Sequence, residues 1–257
     1  MWPGLDELGV DAAVTTRGGG VSDGCYRSLN LGMHVGDDEA AVVENRRRAA
    51  ASVGADIADL VLGRQVHGTT ATVVVDTDAG RGSTDPGLAI PATDALVTAS
   101  PRPVLVTLVA DCSPILLVDP GARVLATVHA GWRGALAPDG GTVGETVRVM
   151  AELGAQPERT VAVIGPTVAP DHYEVGAEVV GAARAALGAA ADEVVVPDGA
   201  KWRFDVAGAN RLRLLQAGLR DDNVHRDPAA TGEAHFYSDR MERPCGRFGL
   251  LARLRVA

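Results

Sequence analysis

Short runs of β-branched and aliphatic residues alternate along the chain with longer stretches in which apolar residues recur every three or four positions. The first pattern is typical of strands and the second of amphipathic helices. Strands are predicted at residues 71–75, 104–109, 115–118, 124–128, 161–164 and 194–196. Helices are predicted at residues 39–53, 143–153, 175–187 and 206–219, with Thr142 and Asp205 placed to cap two of them.

The order of these elements predicts an α/β fold in a single domain, residues 1–257. Strands and helices alternate, but two of the strands are joined only by Asp119-Pro120-Gly121-Ala122, which is typical of a hairpin. A hairpin among strands that are otherwise connected through helices indicates a mixed sheet. We therefore expect a layered sandwich in which a mixed β-sheet is flanked by helices. The polar segment 76–93 has the length of a functional loop.

The hairpin also predicts a contact between two side chains. If Val118 pairs with Arg123 across the turn, the continued ladder places Cys112 opposite His129. Directly opposed residues of an antiparallel pair project to the same face, with Cβ atoms roughly 4.5–5.5 Å apart. Pro114 cannot donate to the ladder and marks a possible edge or bulge. A thiol and an imidazole are thus expected to meet at this end of the hairpin.

The formal charge of −9 opposes non-specific binding to nucleic acid or to an anionic membrane. The basic run Arg46-Arg47-Arg48 falls in a predicted helix, where we interpret it as a solvated face. No stretch approaches the ~18 apolar residues of a membrane helix, and the first ten residues lack the pattern of a secretory leader. Three cysteines are too few for a disulfide framework. We expect a cytoplasmic protein without nucleic-acid or membrane partners, and the oligomeric state is not predicted.

Cys112 and His129 are the pair of side chains that indicates chemistry. Taken alone, such a cysteine is most often a small buried hydrophobe, and such a histidine a hydrogen-bonded structural residue. Two neighbouring features favour a functional interpretation of the pair. Asp111 adds a second polar group at the end of an apolar strand, and Gly131 lets the backbone after His129 approach another group closely. Two chemistries stay open: His129 activates Cys112 as the nucleophile of a hydrolase, or both residues bind a metal ion.

A metal site needs a further ligand, and His67 in Gln65-Val66-His67-Gly68 is the best candidate. Two imidazoles and a thiolate, with a fourth position open, are the arrangement of catalytic zinc. The same donors suit copper, which can bind such a site adventitiously. The chain has six histidines and no His-x-His pair, however, so a multi-copper oxidase is disfavoured.

Motifs along the chain resemble those of one known family. They are Thr15-Thr16-Arg17-Gly18-Gly19, Ser28-Leu29-Asn30-Leu31-Gly32, His34-Val35-Gly36-Asp37-Asp38, Gln65-Val66-His67-Gly68, Ala110-Asp111-Cys112, His129-Ala130-Gly131-Trp132-Arg133-Gly134, Ile164-Gly165-Pro166, Tyr173-Glu174-Val175-Gly176 and Phe236-Tyr237-Ser238. Over nearly its whole length the sequence resembles the YfiH/YlmD-type, laccase-domain proteins, once named polyphenol oxidases and now regarded as purine nucleoside phosphorylases with adenosine deaminase activity.

The resemblance implies a ligand set and a substrate class. It makes His67, Cys112 and His129 the ligands of one catalytic zinc ion. The implied small-molecule partners are phosphate and purine nucleosides: adenosine, inosine, guanosine and, as an extension, methylthioadenosine. The fold is also similar to that of bacterial toxin deamidases that use cysteine and histidine, which keeps the hydrolase interpretation open.

Further site residues follow from the proposed chemistry. Phosphorolysis needs a phosphate site, which Arg17 and the backbone of Gly18-Gly19-Gly20 are suited to supply. Asp111 is interpreted either as a general acid or base or as a group that orients a ligand imidazole. With Cys112, Arg17 and Asp111 form the predicted catalytic set. Three more substrate-binding residues are expected, the first two by resemblance alone: Asn30, His34 and Arg133.

The chain departs from the family's usual residues at four places, none of them a predicted ligand: Thr167, His172, Ala230 and Met241. Three other functions stay open beside the zinc-dependent phosphorylase. The first is a metal-independent Cys–His amidohydrolase acting on cell-wall precursors or similar amides. The second is a copper-binding polyphenol oxidoreductase, and the third is a non-catalytic metal-binding protein.

Overall fold

Short strands account for most of the regular structure, with α-helices between them. The computed structural model describes residues 4, 7–232 and 235–256. Within these ranges the strands are β1 (Val10–Val14), β2 (Leu60–Leu62), β3 (Ala71–Val73), β4 (Ala95–Thr98), β5 (Val104–Val109), β6 (Ser113–Asp119), β7 (Val124–Ala130), β8 (Val161–Ile164), β9 (Glu174–Val175), β10 (Val195–Asp198), β11 (Lys201–Phe204), β12 (Val224–Arg226) and β13 (Phe248–Leu254). The α-helices are α1 (Glu39–Ser52), α2 (Trp132–Ala135), α3 (Gly141–Glu152), α4 (Ala177–Leu187) and α5 (Val206–Gln216).

The strands form two large mixed sheets and one small sheet. The six-stranded sheet has the order β12-β8-β6-β7-β4-β3, with parallel pairs at its two edges and antiparallel pairs between them. The four-stranded sheet has the order β1-β13-β5-β2, in which only β5 and β2 are parallel. The small sheet, β10-β11-β9, is antiparallel. The predicted α/β class with mixed sheet is confirmed.

Alternate residues of the central strands pack on opposite faces and define the layers. On one face of the six-stranded sheet, Ile115 and Leu117 pack against α3 and α5. On the other face, Leu116 and Val118 pack against the four-stranded sheet, whose far side is covered by α1 through Ala50. These side chains are completely buried, and burying one such Leu, Ile or Val contributes about 1.5–3 kcal/mol. The layers are thus helix, sheet, sheet, helix, so each large sheet has helices on one face only.

The four predicted helices are present, with differences at their ends. Asp205 caps α5, where its carboxylate accepts a hydrogen bond from the N–H of Gly208, as predicted. Thr142 is not an N-cap but lies inside α3, which begins at Gly141. Val175, predicted to be helical, belongs to β9, because Gly176 interrupts the helical backbone before α4 begins.

The basic run of α1 does not form one solvated face. Arg47 is exposed, as predicted, and it pairs with Glu44. Arg46 is buried instead, because its guanidinium supplies donors to the carbonyl oxygens of Leu31 and of the 82–83 segment. A buried carbonyl oxygen needs a hydrogen-bond partner, and Arg46 supplies one to each of these three.

The β6–β7 hairpin is present, but its register differs from the prediction. Asp119 pairs with Val124, so Pro114 lies opposite His129. The predicted direct opposition of Cys112 and His129 is therefore wrong. Because the displacement along the ladder is two residues, Cys112 keeps the predicted face.

The turn explains the displacement. The Asp119 carboxylate accepts hydrogen bonds from the N–H groups of Gly121 (2.8 Å) and Ala122 (3.1 Å), and it pairs with Arg159 at 2.6 Å. These bonds keep Asp119 in the strand and move the turn one residue along the chain. β6 is longer than predicted at both ends, and β7 is longer at its C-terminal end only.

Among the described residues, no helix combines the length and the apolar character that crossing a membrane requires. The longest, α1, has 14 residues. Residues 1–3, 5 and 6, on which the prediction about a leader partly rests, lie outside the described ranges.

Candidate metal centre

Three segments bring His67, Cys112 and His129 together. Cys112 directly precedes β6, His129 is the penultimate residue of β7, and His67 lies in the loop between β2 and β3. One ligand atom from each residue, two imidazole nitrogens and a sulfur, lies within 4.8 Å of the others. The two imidazole rings meet edge to face with centroids 4.8 Å apart. The three residues predicted as ligands therefore converge.

Asp94, which sequence reasoning did not single out, holds two of these ligands in place. Its Oδ1 lies 2.8 Å from Nδ1 of His129 and accepts the backbone N–H of His67 at 3.0 Å, while its Oδ2 accepts the N–H of Gly68 at 2.8 Å. Burial alone would raise the pKa of Asp94, but the hydrogen bonds from His129 and the backbone hold that pKa below its usual value. An ionised acceptor at this place keeps a proton of His129 on Nδ1, so that Nε2 is the nitrogen that would bind a metal ion.

The loop that carries His67 is fixed from two sides. His67 has a left-handed backbone, with φ of 59°, which is unfavourable for a residue with a β-carbon. On one side, the N–H groups of residues 66–68 bond to the Asp94 carboxylate. On the other, the hydroxyl of Thr142 donates to the carbonyl oxygen of Gly68 at 2.8 Å. Hydrogen bonds therefore position the imidazole of His67, whose side chain is exposed.

The thiol of Cys112 is held as a thiolate. Burial alone would raise its pKa, but the charge of His129 and hydrogen bonds with His129 and His67 lower it to about 6. Against the effect of burial, the thiolate and the bond to Asp94 raise the pKa of His129. A thiolate beside two imidazoles is a donor set that zinc and copper bind. The residues present therefore fit a metal ion.

The absence of a side chain at Gly131 leaves room for the sulfur of Cys112. A β-carbon at Gly131 would lie 2.5 Å from Sγ of Cys112, whereas ordinary non-bonded contacts are about 3.5–4.0 Å. We expect Gly131→Ala to displace the sulfur and to weaken zinc binding by about 10-fold to 100-fold, the range found when a ligand loses the partner that orients it. Competition with a chromogenic chelator measures this affinity.

Gly176→Ala is the matched control for that variant. Both glycines are N-caps with extended backbone, Gly131 for α2 and Gly176 for α4, and both line the same cavity. A β-carbon at Gly176 would meet nothing within 4 Å. Any small cost of alanine at an N-cap is therefore common to both. Equal zinc affinities for the two variants would contradict the role assigned to Gly131.

Asp111 lies beside Cys112, and hydrogen bonds occupy both of its carboxylate oxygens. Oδ1 accepts the hydroxyls of Thr231 (2.5 Å) and Ser238 (2.7 Å), and Oδ2 accepts the backbone N–H of Arg240 (2.6 Å). The carboxylate thereby ties a distant segment to the start of β6. Its action as a general acid or base stays a prediction.

A cavity of about 950 Å³ is lined by His67, Asp111, Cys112 and His129 together with other residues, and its volume is at the upper end of the range usual for small-molecule sites. Two predicted substrate residues, His34 and Arg133, lie in its wall. The wall also contains four acidic residues, Asp111, Glu174, Glu178 and Asp239. It contains six arginines: Arg46, Arg64, Arg133, Arg240, Arg243 and Arg247. Sequence reasoning had singled out only Arg133 among them as a binding residue.

Arg17 and Asn30 are not part of the wall. The guanidinium of Arg17 pairs with Glu242 at 2.9 Å and lies over the ring of Tyr237, 4.8 Å from its centroid. Asn30 is fully buried, and its Oδ1 accepts the backbone N–H of Arg247 at 2.8 Å. The structure thus does not bring these two residues to the His67–Cys112–His129 ligand cluster, and their binding roles stay predictions.

Two of the departures from the family's usual residues meet beside Asp111. The hydroxyl of Thr167 donates to the carbonyl oxygen of Asp111 at 2.5 Å, and Thr167 forms a β-bridge with Ala230. A hydroxyl at this position therefore steadies the residue before Cys112. The other two, His172 and Met241, are exposed.

Comparison with known proteins finds relatives over nearly the whole chain. A family model described as multi-copper polyphenol oxidoreductase laccase matches residues 11–255. A protein of Deinococcus radiodurans named purine nucleoside phosphorylase is 43% identical over 237 residues, 91% of this chain and 85% of the relative. Purine nucleoside phosphorylase YlmD of Geobacillus stearothermophilus is 36% identical over 242 residues, 91% of this chain and 86% of the relative.

Solved structures share the fold. The crystal structure of the hypothetical protein YfiH of Bacillus licheniformis superposes with a TM-score of 0.92 at 29% identity, covering 98% of this chain and 94% of that one. YlmD of Geobacillus stearothermophilus gives a TM-score of 0.90 at 35% identity, covering 96% and 93%. The layered arrangement of sheets and helices is therefore common to these proteins.

Proposed function

The chain belongs to the family of YfiH/YlmD-type, laccase-domain proteins, and on that basis we propose that it is a zinc-dependent purine nucleoside phosphorylase that also deaminates adenosine. The observation that carries the proposal is the convergence of His67, Cys112 and His129 in the wall of an arginine-rich cavity. Relatives that match 91% of the chain are named purine nucleoside phosphorylase, a name that implies a nucleoside and phosphate as substrates.

The small number of clustered imidazoles supports zinc over the copper of a multi-copper oxidase. Within the described ranges, these three side chains are the one group of three or more metal-binding residues, whereas multi-copper oxidases use many more imidazoles. Two histidines and a thiolate with one open position match catalytic zinc. When bound, the ion would act as a Lewis acid that polarises a substrate oxygen or activates water.

Aromatic residues near the cluster suit a purine. Trp132 and Tyr173 both line the cavity, and the guanidinium of Arg133 lies over the Trp132 ring, 4.4 Å from its centroid. Flat π-systems stack on such rings. Burial raises the pKa of Tyr173, so its hydroxyl stays protonated and can donate a hydrogen bond. We assign the base of the substrate to this part of the wall.

The two reactions make different demands on the site. In phosphorolysis, a phosphate oxygen bonds to C1′ of the ribose while the C1′–N9 bond breaks, and the purine leaves with the electron pair and takes up a proton. In deamination, a water oxygen bonds to C6 and ammonia leaves. Both build negative charge that nearby donors and cations stabilise. Because donors already occupy both oxygens of Asp111, we assign it the positioning of Ser238 and Arg240 rather than proton transfer.

Incubation of zinc-loaded protein with adenosine tests the proposal. With phosphate, we expect adenine and ribose 1-phosphate in equal amounts; without phosphate, we expect inosine and ammonia alone. Chromatography of the bases and an ammonia assay measure the products. Chelation should abolish both reactions, and adding zinc back should restore them. Zinc-loaded protein that forms none of these products would contradict the proposal, and restoration by copper alone, with oxidation of a phenol, would favour the oxidoreductase.

A specific observation also favours a second function. Asp94, His129 and Cys112 are connected by hydrogen bonds in that order, which is the arrangement of an orienting acid, a base and a nucleophile in cysteine hydrolases. A metal-independent amidohydrolase would cleave an amide after chelation and would lose that activity when Cys112 is alkylated. Amide hydrolysis that survives chelation is the result that separates it from the phosphorylase.

A further inference from the structure

Arg46 is a buried cation in the wall of the cavity. The residue is 4% exposed, and its Nε and Nη1 donate to the carbonyl oxygens of Leu31 (2.8 Å), Gly82 (2.7 Å) and Ser83 (2.9 Å). None of the described carboxylates pairs with it. The carbonyl oxygens are partners for Nε and Nη1 only, and they leave the positive charge without a counter-ion, which is unfavourable away from water. Burial lowers the pKa of Arg46 only to about 10, so the charge persists at neutral pH.

His34 and Arg247 lie close to one another in the same wall. A β-carbon built at Gly32 would lie 2.9 Å from Cγ of Arg247 and 3.4 Å from Cε1 of His34. Asp239 holds the guanidinium of Arg247 at 3.1 Å. Burial, together with the charges of Arg247 and Arg46, lowers the pKa of His34. The ring is therefore neutral and offers one N–H to a ligand.

The wall of the whole cavity also contains more cationic than acidic side chains. Six arginines face four acidic residues in its wall, although the chain as a whole carries −9. Among the described side chains, Arg64 makes no ion pair. A cleft lined by an excess of one charge attracts ligands of the opposite charge. The chain thus concentrates positive charge where a ligand would sit.

We propose that Arg46, His34 and Arg247 form a subsite for a phosphate oxyanion in the cavity that the three candidate metal ligands line. An anion there neutralises Arg46 and accepts hydrogen bonds from guanidinium N–H groups and from the imidazole. The identity of the anion as the phosphate co-substrate rests on the proposed function. A phosphate ester on a nucleoside presents the same chemistry, so the test includes both sources.

Titration calorimetry of zinc-loaded protein with inorganic phosphate tests the subsite directly. Wild type should bind phosphate, and Arg46→Met and His34→Ala should each raise the Kd at least tenfold. Adenosine and adenosine 5′-phosphate are titrated in parallel. Tight binding of free phosphate assigns the subsite to a co-substrate, whereas tighter binding of the 5′-phosphate than of adenosine, lost in Arg46→Met, assigns it to an ester.

Arg47→Met is the matched control, because Arg47 follows Arg46 on α1, is 55% exposed and pairs with Glu44. It should bind phosphate as wild type does. If Arg46→Met fails to fold for want of its carbonyl contacts, His34→Ala and Arg247→Met decide the question. Unchanged phosphate binding in the folded variants overturns the proposal.

Measurements of KM distinguish a failure of the phosphate subsite from a failure of the proposed phosphorylase function. In an active enzyme, His34→Ala should raise the KM for phosphate while leaving the KM for adenosine within about twofold. A protein that binds phosphate at these residues but cleaves no nucleoside would contradict the phosphorylase and leave the subsite standing. Nucleoside cleavage with an unchanged KM for phosphate in both His34→Ala and Arg247→Met would contradict the subsite alone.

Discussion

Replacing Cys112 by alanine is expected to reduce bound zinc from about one ion per chain to near zero and to lower adenosine cleavage by roughly 10³-fold or more. The reason is that a catalytic metal contributes several kcal/mol to the transition state, and each 1.36 kcal/mol is tenfold in rate. The alanine removes the sulfur donor and leaves the two imidazoles of His67 and His129, one donor fewer than the three protein ligands of a catalytic zinc site. Metal analysis by mass spectrometry and the nucleoside assay measure the two effects.

Cys25→Ala is the control for this experiment, because Cys25 is a free, exposed cysteine. It should retain zinc and activity. A Cys112→Ala protein that is folded and holds one zinc per chain would show that the metal binds elsewhere. Full metal loss with unchanged activity would instead remove zinc from the mechanism.

Part of the ligand cluster could be predicted from the sequence because two of its three residues, Cys112 and His129, belong to one hairpin. The Asp119-Pro120-Gly121-Ala122 segment identifies a tight turn, and the apolar runs on either side identify its strands. The alternation of side chains then places Cys112 and His129 on one face, even though the register differs by two residues. The third ligand, His67, lies in a loop, where no periodicity indicates a direction, and it was found by resemblance.

Asp94 and Arg46 show what local patterns cannot supply. Asp94 stands before the short strand β4, in a polar stretch where an acidic residue usually faces solvent, and its partner His129 lies 35 residues away. Arg46 is the first of three consecutive arginines on a helix whose exposed side it was expected to share. Both side chains are buried because they hydrogen-bond to loops that are distant in sequence. These partners can be identified only in the folded structure. The same holds for β13, whose apolar run Phe248-Gly249-Leu250-Leu251-Ala252 suits a helix or a buried strand equally well.

Asp94→Asn should weaken zinc binding by about 10-fold to 100-fold, the range expected when the partner of a ligand histidine is lost. The amide can face the site in two ways, and each harms it. With its NH₂ toward His129, it favours the tautomer protonated on Nε2, which cannot bind the metal through that atom. With its NH₂ toward Gly68, two donors oppose each other and the 66–68 loop loses an acceptor. Chelator competition gives the affinity, and the visible spectrum of the cobalt-substituted protein reports the ligand geometry.

Asp119→Asn separates this positioning role from a loss of stability. Asp119 is also a completely buried carboxylate, at the opposite end of the β6–β7 hairpin, where it accepts backbone N–H groups and pairs with Arg159. Each variant should lose a similar amount of unfolding free energy, on the order of 1–3 kcal/mol, because each leaves buried donors unsatisfied. Only Asp94→Asn should change zinc affinity and the cobalt spectrum. If both variants keep the wild-type affinity and spectrum, Asp94 supports the fold and not the ligands, and metal binding at Nε2 alone would fix the tautomer of His129.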